Sequence, residues 1–148
     1  HMAEKTNAIR LVQQARIPFR EAFYDYDEKE EYTVLHLKPE VAPIKVGVFP
    51  LMEKDGLDAF AMGLYEKLQV GGLASVYDGS GTIGKRYARM DEVGTPYCVT
   101  VDYETLEGDL KDTVTIRDRD SKQQKRVPVE RVGEIIRNLM SGADFDKI

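Results

Sequence analysis

Tryptophan is missing from this chain, and cysteine occurs once, at Cys98. A single thiol excludes an internal disulfide and any cysteine-built metal site. Histidine is nearly as scarce, with only His1 and His36. The opening His-Met reads as an expression remnant, so His36 stands alone and a zinc cluster is untenable. No apolar run approaches the roughly 20 residues that cross a bilayer, and no charged-then-apolar leader opens the chain. Positive charge is not in excess either. A formal net charge of −5 argues against non-specific coating of nucleic acid. These absences favour a cytoplasmic setting and give no support to a membrane, secreted or metal-centred protein.

What remains is an ordinary globular balance, 42% hydrophobic and 32% charged over 148 residues, enough for one domain with a real core. The charge is unevenly spread. Residues 21–31, EAFYDYDEKEE, hold six carboxylates and one lysine, whereas residues 83–131 hold ten basic and ten acidic side chains with the bases bunched. A local basic patch can grip phosphates despite a negative total, because screening limits distant charge to about 8–10 Å.

Hydrophobic spacing outlines the elements. Residues 3–20 suit a short amphipathic helix through Ile9, Leu11, Val12 and Ala15, stopped by Pro18. The acidic run follows as a solvated stretch, and residues 32–37 alternate enough for a short edge strand. Residues 44–51, IKVGVFPL, read as a buried central strand. Asp55 is a candidate N-cap for a helix whose Leu57, Phe60, Ala61, Leu64, Tyr65 and Leu68 share one face. Gly71-Gly72 ends it. Further strands are expected at residues 73–77, Tyr97–Val101, 114–117 and 125–129, with a short basic helix at 82–90. Val132, Ile135, Ile136, Leu139 and Met140 face a last helix, and residues 141–148 should fray. The order implies an α/β fold, a five-stranded mixed sheet flanked by about three helices. Three strands are parallel and a hairpin is added. Residues 1–40 read as an extension, 41–140 as the domain and 141–148 as a tail.

Residues 77–102, YDGSGTIGKRYARMDEVGTPYCVTVD, concentrate the chemistry. GSGTIG is a literal G-x-G-x-x-G between strand and helix, with Asp102 ending a later strand, as in dinucleotide sites. It follows the second strand rather than the first, and little chain remains for a second half; a tight turn capped by Ser80 or Thr82 is the plainer reading. Lys85 and Arg89 share a helix face, with Arg86 beside them. They grip phosphate or merely pair with Asp91 and Glu92. In Arg117-Asp118-Arg119-Asp120, strand alternation sends both arginines to one face, as an exposed recognition row or a ladder with Lys125 and Arg126. Tyr103 offers either a stacking ring or core packing. His36 and Cys98 read as structural, and no nucleophile–base–orienter set is present.

VGVFPL, Lys54-Asp55-Gly56, the 77–102 stretch with its DEVGTP, and TVTIRDRD together resemble the C-terminal anticodon-binding domain of the dimeric, class II glycyl-tRNA synthetases. The likeness covers about residues 21–140. It implies a domain that holds the anticodon stem-loop of glycine tRNA, with Lys85, Arg86 and Arg89 on the backbone. Asp91, Glu92, Tyr103, Arg117 and Arg119 would then line the base site. It also implies a catalytic domain as partner, carrying the ATP and magnesium chemistry. The class II catalytic motifs are absent from this sequence, so no cofactor is expected here. KTNAIRLVQQARIPF separately resembles the start of YbaK-type deacylases over some fifteen residues. The same fold serves an accessory subunit of mitochondrial DNA polymerase, which leaves an interaction module as the alternative. A small nucleotide-binding enzyme using GSGTIG is the other.

Overall fold

The computed structural model describes residues 32–148. The expected helix within residues 3–20, the acidic run at 21–31 and the deacylase-like stretch lie outside the described residues. One sheet organises the rest, in the order β2-β1-β3-β4-β5. Its strands are β1 (Val46–Pro50), β2 (Ser75–Tyr77), β3 (Tyr97–Val101), β4 (Thr113–Asp118) and β5 (Gln124–Pro128). β1 runs parallel to β2 and β3, and β4 is antiparallel to both β3 and β5. The mixed α/β sheet expected from the sequence is what forms.

Every residue of β1 and of β3 is buried. Burial on both faces selects unbroken apolar runs instead of alternation, which is why VGVFP and YCVTV occupy the middle. The chain leaves β1 through α1 (Leu57–Val70) to reach β2, then returns through α2 (Ile83–Glu92) past β1 to β3. Right-handed crossovers in opposite directions put the two helices on opposite faces. On the first face Leu57, Ala61, Leu64 and Leu68 of α1 meet Val46, Val48, Val99 and Ile116, joined by Ile135, Ile136 and Leu139 of α4 (Val132–Met140). Each such aliphatic side chain, fully buried, stabilises the fold by about 1.5–3 kcal/mol. On the second face Phe49 and Cys98 meet Met90, with Ile83 and Tyr87 beside them. A Cβ on Gly47 would lie 3.0 Å from Met90 Cγ, so its bare backbone lets α2 approach the sheet.

Three local expectations are corrected and one element is added. Residues 32–37 form no strand, although Val34, Leu35 and Leu37 are buried. Asp55 does not cap α1: Gly56 takes that place in a left-handed conformation, φ 85°, with no side-chain cap, and the Asp55 carboxylate accepts from the Tyr103 hydroxyl at 2.7 Å. A one-turn helix, α3 (Tyr103–Leu106), was not foreseen. It exists because Asp102 and Thr105 make a reciprocal capping box. The tail does not fray either. Phe145 packs into the first-face core, and the Lys125 ammonium lies 5.6 Å from its ring centroid while donating to Ile148 O at 3.4 Å.

Candidate nucleic-acid interface

α2 begins where GSGTIG ends. Gly81 turns the chain at φ 75°, and Thr82, not Ser80, is the N-cap, its Oγ1 accepting from Lys85 N at 3.3 Å. Asp78 receives two hydrogen bonds from Arg89, at 2.9 and 3.1 Å, and Arg89 also donates to Ser80 O. The loop is thus braced by its own helix, and Arg89 does not pair with Asp91 or Glu92. Lys85 is exposed, with no side-chain partner among the described residues. Arg86 is a different case. It is 3% exposed and donates to Pro50 O and, at 3.0 Å, to Gly81 O, so it ties the loop to the end of β1 and is not presented to a ligand.

The glycine loop does not offer a pyrophosphate seat. The Glu53 side chain lies across it, close enough that a Cβ on Gly79 would come within 2.3 Å of Glu53 Cδ, and Tyr77 donates to Glu53 Oε2 at 3.1 Å. A carboxylate stands where a phosphate would approach. Asp102, the would-be ribose ligand, is held by Arg126 and by the cap of α3. Both observations oppose the dinucleotide reading of GSGTIG.

At its other end α2 supplies Asp91, fully buried, whose carboxylate takes a two-pronged grip from Arg117 at 3.0 and 3.2 Å. Burial works against the Arg117 charge, but hydrogen bonds to Asp91 outweigh it and hold the guanidinium protonated. The same guanidinium lies 4.6 Å from the centroid of the Tyr87 ring, and Tyr87 and Thr100 share a 3.0 Å hydrogen bond. Tyr32 completes the set by donating to Asp91 Oδ2 at 2.9 Å. Glu92 lies next to it, its carboxyl pushed up by burial and by the neighbouring Asp91 charge.

The expected exposed arginine row is not found. β4 ends at Asp118, so alternation fixes Arg117 on the α2 face but no longer governs Arg119. Arg117 is 6% exposed and Arg119 2%. Arg119 spends its guanidinium on Gly94 O at 2.8 Å, Leu37 O at 2.6 Å and Asp120. Lys125 and Arg126 are not opposite Arg117 either, since the register pairs it with Gln124. Cys98 is buried and its thiol pushed up by that burial, which makes it inert.

Sequence reasoning missed Thr115 and Gln124 for this face and weighed Arg126 only as a ladder partner. Register places Thr100, Thr115 and Arg126 in one cross-strand row and Cys98, Arg117 and Gln124 in the next, both on the α2 face. The signal was available in the alternation of TVTIRD, whose Val114 and Ile116 claim the other face. Tyr103 stands at the far end of β3, 41% exposed, beside the exposed Met52. Among the described residues, no group of three metal-capable side chains occurs and no helix is long and apolar enough to cross a membrane.

Residues 45–139 match the anticodon binding domain family. A glycine–tRNA ligase of Methanococcus maripaludis strain C6 is 48% identical over 125 residues, 84% of this chain and 21% of the relative. One from Methanothrix thermoacetophila is 49% identical over 116 residues, covering 78% and 20%. Another, from Thermococcus gammatolerans, is 48% identical over 114 residues, covering 77% and 20%. The chain therefore spans about a fifth of the length of these relatives. It belongs to the anticodon binding domain family, in a form similar to a segment of these glycine–tRNA ligases.

Proposed function

We propose that this chain holds the anticodon stem-loop of glycine tRNA and reads its bases, while ligation, with ATP and magnesium, belongs to a catalytic domain that works with it in the cytoplasm. The observation that carries the reading is 48% identity to a glycine–tRNA ligase over 84% of the chain, with the family match at 45–139 spanning α2 and the β4–β5 hairpin. Exposed Lys85 contacts backbone phosphate, joined by Arg89, which keeps Nη1 uncommitted among the described residues while Nε and Nη2 brace the loop. Arg117 is buried and pinned between Asp91 and Tyr87, so it acts as a positioning residue that fixes the base-reading face from beneath. The polar row Thr100, Thr115 and Arg126 adds hydrogen-bonding groups on the same face. Glu92 and the exposed Tyr103 ring flank the site, the latter as a platform for an unstacked base. Arg86 and Arg119 act indirectly, by fixing loops.

Glycine anticodon hairpins should bind more tightly than hairpins with one anticodon base replaced. A titration of both with the full chain tests this. Equal affinity for the two would overturn the reading.

A further inference from the structure

We infer that residues 32–37 form an arm that positions the base-reading face, with Tyr32 as a positioning residue acting through Asp91 on Arg117. This rests on the anticodon reading above and deepens it.

The arm lies upstream of the family match, which begins at residue 45. With 125 of 148 residues matched to the Methanococcus relative, the arm falls inside that longer likeness. It has no strand ladder, yet Val34, Leu35 and Leu37 are 1%, 0% and 0% exposed. Four polar tethers hold it. Leu35 N donates to Asp91 O at 2.9 Å, and Arg119 donates to Leu37 O at 2.6 Å. His36 Nδ1 lies 2.6 Å from Asp120 Oδ1. The fourth tether is Tyr32 on Asp91 Oδ2, the same oxygen that Arg117 Nη2 meets at 3.2 Å.

That shared oxygen is why Tyr32 matters. Asp91 is bound to the arm twice, through its carbonyl and its carboxylate, so the arm sets both the end of α2 and the tilt of the carboxylate. Arg117 follows the carboxylate because two of its nitrogens are committed to it. Burial and the Asp91 charge push the Tyr32 phenol up to about 12, so it stays a donor throughout the physiological range. Without the hydroxyl, Oδ2 keeps one partner and the carboxylate can swing, taking the guanidinium off its register over Tyr87. Tyr32 hydrogen-bonds Asp91 and neither Lys85 nor Arg89, so phosphate contacts should be unaffected.

The test is an anisotropy titration of the full 148-residue chain and its Tyr32→Phe variant. The probes are synthetic hairpins with the glycine anticodon and with one anticodon base replaced, at two salt concentrations. Loss of one hydrogen bond to a buried charge predicts that the preference for the glycine anticodon falls about fivefold, with the salt slope unchanged. Thermal unfolding of both proteins shows whether the fold is kept. An unchanged preference, or an equal loss on both hairpins, would overturn the positioning role and leave the arm a structural strap. Failure of the unsubstituted chain to discriminate would instead sink the anticodon reading, and the role of Tyr32 with it.

Discussion

Asp91 shows what a single residue does in this fold. A charge that is fully out of water must be neutralised and hydrogen-bonded, and Arg117 and Tyr32 do both. Asp91→Ala strands the Arg117 charge and should cost about 3–5 kcal/mol, seen as a lowered urea midpoint. Asp120 gives a pH signature instead. Burial raises its pKa, but hydrogen bonds and charge from Arg119, with His36 beside it, outweigh this and leave it below its ordinary range. A carboxylate depressed in the folded state adds stability above its unfolded pKa and loses it as pH falls through the folded one. Acid titration of stability should therefore show a limb below the ordinary aspartate range that Asp120→Asn flattens. The side chain is 55% exposed, so the effect is small and screened by salt.

Elements were legible to the degree that their causes are local. α1 was readable because Leu57, Ala61, Leu64 and Leu68 repeat at helical spacing, and β3 because YCVTV is apolar throughout. α3 was hidden, since four residues carry no period and only the Asp102–Thr105 box makes the turn. The arm at 32–37 misled because its apolar residues mimic a strand while its backbone pairs with Asp91 and Arg119, partners far along the chain. Strand alternation correctly gave Arg117 a face. The helix covering that face, and hence the burial, could not be read locally. The tail was misjudged for the same reason: Phe145 meets its pocket only in three dimensions. Phe145→Ala should cost about 3 kcal/mol, measurable by thermal unfolding, where a frayed tail would show no change. Thr82→Ala removes the α2 cap and should cost about 1 kcal/mol in the same assay.

Across the whole molecule, charge is partitioned. The formal total is −5, so under the proposed function RNA would be met by local bases such as Lys85 and not by the overall field. With Lys85 and Arg89 as phosphate contacts, changing both to alanine should weaken every hairpin alike and lower the salt slope by about one unit per residue removed. Loss of selectivity without a slope change belongs to the opposite set, Arg117 and its partners. Phosphate grip thus rests on Lys85 and Arg89, and base selectivity on the set that Asp91 and Arg117 hold in place.

The most direct measurement is a titration of the chain carrying Arg117→Lys. Lysine keeps the charge but cannot reproduce the fork on Asp91 or the plane over Tyr87. The account predicts that preference for the glycine anticodon hairpin over the base-replaced one drops about tenfold while the salt slope stays the same. Preserved discrimination in a folded variant would contradict it.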